Sequence, residues 1–249
     1  MLIREWNGAS YDRISGPMEV LGRQVLARLE LRGDETVLDA GCGSGRVTQA
    51  LIERLPRGKV IAVDASPSMA QAAHERLGDQ ADVRVLDLLD LELETPVDAI
   101  LSTATFHWIA DHERLFARLH AALRPGGQLV VQCGGEGNIT ELRGVANEVL
   151  AREPYAAHFQ DWQPPWNYAA PDVTEERLRA AGFARARCWL MPAPTQPEYP
   201  REFLATIVLG PHVQRLPAAL REPYMDEVMQ ALGEPVVVDY VRLNIDASA

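Results

Sequence analysis

Between Glu35 and Cys133 the hydrophobic positions change period repeatedly: short runs rich in β-branched residues alternate with stretches whose apolar residues recur every three or four positions. Parallel strands joined by crossover helices leave that trace. It predicts strands over Thr36–Ala40, Lys59–Val63, Val83–Leu86, Ala99–Ser102 and Gly127–Cys133. Helices are predicted over Arg46–Leu55, where Val47, Ala50, Leu51 and Leu55 share a face, over Ser68–Leu77 and over Glu113–Leu123. Ser66 before Pro67 suits a helix start, and Arg124-Pro125-Gly126-Gly127 stops a helix and turns into a strand. Upstream, Glu19–Leu29 reads as an amphipathic helix that packs on the sheet.

Beyond Cys133 the alternation lapses. Gly134–Ala170 reads as irregular and carries the aromatic run Trp162-Gln163-Pro164-Pro165-Trp166-Asn167-Tyr168. A helix over Glu175–Ala181, a strand over Ala184–Met191, two helices within Arg201–Leu232 broken at Pro211 and Pro217, and a strand over Val236–Ile245 follow. The expected organisation is one domain over residues 1–249, with a core at about 30–135, 173–192 and 234–246. Insertions at about 136–170 and 200–232 form a helical cap over the strand tips.

The chemistry concentrates in Val37-Leu38-Asp39-Ala40-Gly41-Cys42-Gly43-Ser44-Gly45, a strand that ends on an acid and passes through three glycines into a helix. Glycines at such a turn let a ligand approach the backbone closely. Asp64 ends the second strand, placed to accept hydrogen bonds from the ribose hydroxyls of an adenosine ligand, and Asp87 ends the third. Ligands of open α/β sheets bind beyond the carboxyl ends of the strands, so the three acids line one crevice. They repel a pyrophosphate and favour a sulfonium with an ammonium group, which points to S-adenosylmethionine rather than a dinucleotide.

Charge and composition narrow the partners. The net charge of −11 opposes binding to a phosphate backbone, so nucleic acid is not the expected substrate. No apolar run reaches the ~18 residues of a membrane span, and no basic segment leads into an apolar one near the start, so a cytoplasmic location is expected. Cys42, Cys133 and Cys188 are scattered and read as free thiols, and with the acids assigned to the cofactor no metal set is expected. The partner is a small molecule; oligomeric state is left open.

Through Val37–Gly45, Val63-Asp64-Ala65-Ser66-Pro67-Ser68-Met69, Asp87 and Leu123-Arg124-Pro125-Gly126-Gly127, the chain resembles the class I methyltransferase family. In Ser102-Thr103-Ala104-Thr105-Phe106-His107-Trp108-Ile109, followed by Asp111-His112, it is similar to the trans-aconitate methyltransferase-like branch of small-molecule enzymes. The resemblance implies an α/β, Rossmann-like, mostly parallel seven-stranded sheet with helices on both faces and a small helical cap. It further implies that Gly41, Cys42, Gly43 and Gly45 wrap the methionine part and that Asp39 and Asp64, with Ala65, belong to the cofactor site. Met69 packs beside the adenine, Asp87 accepts from its amine, the Leu88 amide donates to it, and the Thr103 carbonyl meets the ammonium group. Tyr11 either closes over the cofactor or packs on the first helix; Asp87 alternatively caps a turn, and Met69 is alternatively plain core.

For the acceptor, methylation on oxygen, of a carboxylate or a hydroxyl, is expected from the same resemblance. His107 is the candidate general base, the alternative being a hydrogen bond within its loop. Trp108, Trp162 and Trp166 would wall an apolar acceptor, and Arg143 would meet an anionic one. Two other readings share the strand–glycine–acid pattern: a nicotinamide-dependent oxidoreductase, and a non-catalytic module that binds S-adenosylmethionine as a sensor.

Overall fold

The computed structural model describes Ile14 and residues 16–249. Seven strands form one sheet: β1 (Thr36–Ala40), β2 (Lys59–Asp64), β3 (Asp82–Val85), β4 (Val97–Thr103), β5 (Leu123–Gly134), β6 (Arg185–Pro192) and β7 (Val241–Ser248), in the order β3-β2-β1-β4-β5-β7-β6. The β1 to β5 pairings are parallel, while β7 runs antiparallel to both β5 and β6. The chain winds outward from β1 in one direction and from β4 in the other, so the crevice between their tips is the switch point where such sheets bind ligands.

Alternation along the strands divides the core between two faces. Leu38, Ile100, Leu129 and Val131 pack with Phe116 and Leu119 of α4 (His112–Ala122) and Leu178 of α6 (Pro171–Ala180). Their neighbours Val37, Leu101 and Val130 pack on the other face with Val25 and Leu26 of α1 (Gly16–Leu26) and Val47 and Leu51 of α2 (Arg46–Glu53). Helix α3 (Pro67–Leu77) is capped by the Ser66 hydroxyl, which accepts from the Met69 amide, with Pro67 in the first turn.

Outside the sheet, α5 (Thr140–Leu150) packs with three short elements, α7 (Pro200–Phe203), a π-helical turn Leu204–Val208 and α8 (Gly210–Arg215), and with the 15-residue helix α9 (Ala218–Leu232). Leu142, Ala146, Val149, Phe203, Leu204, Tyr224 and Val228 form a hydrophobic cluster of their own there.

Several boundaries differ from the sequence reading. Residues 140–150 are a helix inside the stretch read as irregular; Leu142, Ala146, Val149 and Leu150 have helical spacing, but Gly144 and the flanking glycines mask it. Helix α6 starts at Pro171, not Glu175, because proline occupies its first turn. The last strand begins at Val241: Val236, Val238 and Tyr240 are extended but pack into the cap cluster, and only Val238 makes a bridge, to Thr195. Strand β5 starts at Leu123, and the turn at Pro125–Gly127 is carried as a register shift against β4. Among the described residues no helix is long and apolar enough to cross a membrane, and no cluster of His, Cys, Asp and Glu could hold a metal ion.

Candidate active site

The β1–α2 loop is built around close approach. At Gly41 (φ +85°) a Cβ would fall 2.2 Å from Thr105 Oγ1, so no side chain fits, and the amides of Gly41 and Cys42 both donate to the Val63 carbonyl. Asp64 pins this loop to the tip of β2: one carboxylate oxygen accepts from the Gly43 amide and the other from the Ser66 amide, each at 2.9 Å. Asp39 lies beneath, 1% exposed, with Oδ2 accepting from the Thr48 hydroxyl at 2.7 Å and Oδ1 left without a partner. Burial, helped by the Asp64 charge and opposed by the Thr48 bond, pushes the Asp39 carboxyl up to about 7.

A cavity of about 780 Å³ opens at these tips. Gly41, Asp64, Ala65, Met69, Asp87, Leu88 and Thr103 line one end of it. Asp87 also caps the turn Leu88–Asp90 through the Leu89 amide, so its two expected roles coexist, and Met69 is both buried and in the wall. The Thr103 carbonyl accepts from the Thr105 hydroxyl at 3.0 Å and keeps a second lone pair. Cys42 lines a neighbouring cleft of about 50 Å³ with Glu19, Ser44 and Arg46 instead, its thiol pushed well up by burial. Asp39, Gly43 and Gly45 line neither space; they shape the loop from behind. Tyr11 lies outside the described residues.

The other end is aromatic. His107 stacks on Tyr168 (centroids 5.8 Å apart), Tyr168 on Trp166 (6.0 Å, interplanar angle 6°), and Trp166 meets Trp108 and, edge-on, Trp162. All five line the cavity, with Ile207, Val208 and Pro211 from the cap. At Gly134 a Cβ would stand 2.7 Å from the Tyr168 ring and 2.9 Å from the Asn138 amide, so the last residue of β5 must be glycine for this wall to close.

His107 departs from the general-base expectation. Its Nδ1 accepts from the Gly134 amide at 3.2 Å, which leaves the neutral ring's proton on Nε2. Burial, then the charges of Arg242 and His112, hold its pKa well below the usual histidine range. In that tautomer neither ring nitrogen has a free lone pair for a substrate proton.

Arg143 is half-buried on α5 and is not among the lining residues. The buried cation in the wall is Arg242 of β7, 3% exposed, with its guanidinium 5.4 Å from the Tyr240 ring centroid. Sequence reasoning missed it, together with Asn138, Tyr168 and Tyr240. The final strand carried no local signal for it, since Arg242 alternates with the apolar Leu243, Ile245 and Ala247 on the same side as the polar Asn244 and Asp246.

With this geometry in place, comparison with known proteins is informative. Residues 37–127 match a family profile described as a methyltransferase domain. The chain is 32% identical to a trans-aconitate 2-methyltransferase of Variovorax paradoxus over 96% of its own length and 94% of that protein's. It is likewise 32% identical to the trans-aconitate 2-methyltransferase of Paracidovorax citrulli, covering 97% and 95% of the two chains. Among solved structures, a Haemonchus contortus phosphoethanolamine N-methyltransferase 2 in complex with S-adenosyl-L-methionine shares the fold at a TM-score of 0.63 and 19% identity, over 97% of this chain and 56% of that one. The chain belongs to the class I S-adenosylmethionine-dependent methyltransferase family.

Proposed function

We propose that the protein binds S-adenosylmethionine and transfers its methyl group to an oxygen of a small organic acceptor, as a member of the trans-aconitate methyltransferase-like branch. The observation that carries this reading is the single cavity, in which Asp64, Met69 and Asp87 share one space with His107, Trp166 and Arg242.

The residues present fit the cofactor. Asp39 keeps one buried carboxylate oxygen unpaired under the loop, where the positive charge of a cofactor bound beside the loop would favour its ionised form. Asp64, held by the Gly43 and Ser66 amides, stands in the cavity wall with a carboxylate of the kind that accepts from ribose hydroxyls, and Gly41 admits no side chain between ligand and loop. The acids at the strand tips also argue against a nicotinamide cofactor, whose pyrophosphate they would repel.

When bound, the cofactor supplies an electrophilic methyl group on a positively charged sulfur. The chain's contribution is alignment and exclusion of water, which together account for much of the acceleration of such displacements. The aromatic wall and the cap shield the reacting atoms, while the His107 Nε2–H orients an acceptor oxygen. A hydroxyl must lose a proton and His107 cannot take it in this tautomer; a carboxylate is already ionised and needs no base.

Calorimetry with S-adenosylhomocysteine, followed by a methyl-transfer assay against a panel of carboxylates and phenols, tests the proposal. Cofactor binding with no turnover of any acceptor would favour the sensor reading, and absence of binding would end both.

A further inference from the structure

Two arginines lie against the sheet, and they differ in whether a carboxylate meets them. Arg28, half-buried, makes an ion pair with Asp246 at 3.2 Å, donates to the Val131 carbonyl at 2.7 Å and reaches Asn244 Oδ1, although its Nε makes no hydrogen bond. Arg242 sits on the same strand as Asn244 and Asp246, two residues from Asn244, and is the more deeply covered of the two arginines. Its Nε has no hydrogen-bond partner, and among the described residues no carboxylate pairs with its guanidinium. A buried guanidinium without a counter-charge costs free energy unless something met in the folded state supplies one. Arg242 lines the cavity, so the counter-charge belongs to what enters there.

The surroundings define the rest of that ligand. Near Arg242 lie His107, with a donor at Nε2, and the rings of Tyr168 and Tyr240. Trp108, Trp162, Trp166, Ile207, Val208 and Pro211 give most of the remaining wall an apolar surface, with the uncharged amides of Asn138 and Gln214 among them. Arg215, the other cation in the wall, is exposed, donates to the His158 carbonyl and covers the Phe159 ring. The cavity therefore provides one buried anion site and a long apolar wall. Further carboxylates on the same ligand would be stripped of water against tryptophan and isoleucine with no second buried cation in the wall: Arg143, whose charge reaches Tyr168 and His212, is half-buried outside the lining.

Resting on the methyltransferase reading above, we infer that the acceptor is a monocarboxylate with an apolar or aromatic body, whose carboxylate is held by Arg242 and His107. In the reaction a carboxylate oxygen forms the new C–O bond as the methyl carbon's bond to sulfur breaks. The acceptor's negative charge and the sulfonium's positive charge are both consumed, and no proton is released. The products are a methyl ester and S-adenosylhomocysteine.

The test uses the full chain, labelled S-adenosylmethionine and four acids, octanoate, 4-phenylbutyrate, cinnamate and trans-aconitate, with octanamide as the uncharged control. At least one monocarboxylate should exceed trans-aconitate in kcat/KM by about 10-fold or more, and octanamide should be inert. Arg242→Met should raise the acid's KM by about 10- to 100-fold, the cost of a lost charged hydrogen bond, and Arg242→Lys should recover part of it. Both variants should leave S-adenosylhomocysteine affinity unchanged by calorimetry. Removing a buried unpaired charge is compatible with folding, and Arg242→Lys carries the test if Arg242→Met does not fold. Preference for trans-aconitate, an unchanged KM in Arg242→Met, or weakened S-adenosylhomocysteine binding in either variant would overturn the inference. Turnover of none of the acids by a chain that binds S-adenosylhomocysteine would overturn it too, without touching the cofactor assignment. Failure to bind S-adenosylhomocysteine would instead remove the underlying methyltransferase reading.

Discussion

With its carboxyl pushed up to about 7, Asp39 holds a proton in the folded chain over pH values at which the unfolded chain has released it. The folded state thus binds more protons between the ordinary carboxylate range and about pH 7. This group's contribution to stability falls as pH rises through that window and is flat above it. A cation bound beside the loop favours the ionised form, so S-adenosylhomocysteine binding near pH 7 should release a proton. Calorimetry in buffers of different ionisation enthalpy will show this, and Asp39→Asn should abolish it; a buffer-independent enthalpy in the parent protein would contradict the assignment. For Asp64→Ala the loss is of ribose acceptors and of the pin on the Gly43 and Ser66 amides, so affinity for S-adenosylhomocysteine should drop by about 1.5–3 kcal/mol. Both acids were legible in the sequence because strand period and glycine turn fix where they stand. Arg242 was not, since nothing local separates an arginine that lines a cavity from one at a strand's wet edge.

Elements carry a different kind of information. Strands β1 to β5 and the helices between them follow from local period, because the central strands are buried on both faces and each helix on one, while β3 is the exposed edge. The cap followed that logic only in part: two helices within Arg201–Leu232 were expected, but α5 follows glycines and holds Gly144, and the four-residue α7 leads straight into a π-helical turn, so these pieces owe their stability to packing on each other rather than to pattern. The junction between the two regimes is Gly134, where β5 ends against Tyr168 and Asn138. Gly134→Ala must displace the Tyr168 ring, with its stacking on His107 and Trp166, and shift the amide that fixes the His107 tautomer. The variant should therefore lose at least about 10-fold in kcat/KM for the acceptor, as small misplacements at reacting centres do. S-adenosylhomocysteine affinity should change little, since the cofactor end is formed by β1, β2 and β4. Equal losses in both measurements would show that the two ends of the cavity are not independent.

At the scale of the whole molecule the winding order could be anticipated from the alternating strands and helices, but the convergence at the acceptor end could not. His107, Gly134, Tyr168 and Arg242 come from four separate stretches of chain, and Arg242 joins the other three because β7 inserts antiparallel between β5 and β6. That insertion also sends the chain back through Val236–Tyr240 into the cap cluster, so the cap has a core separate from that of the sheet. A unit with its own core, joined to the sheet at the ends of β5, β6 and β7 and sharing a cavity with it, opens and closes at a lower cost than the sheet unfolds. The cofactor end is walled by sheet tips, whereas the acceptor end is walled largely by residues 162–168 and 207–215. Hydrogen exchange followed by mass spectrometry should therefore respond in two stages. S-adenosylhomocysteine alone should slow exchange in the loop 41–45 and around residues 64–69, and adding an apolar monocarboxylate should then slow residues 156–168 and 204–216. If S-adenosylhomocysteine alone protects the cap as fully as the ternary mixture, the cap responds to the cofactor and not to the acceptor. In that case acceptor selection rests with the sheet residues His107 and Arg242 rather than with the aromatic wall.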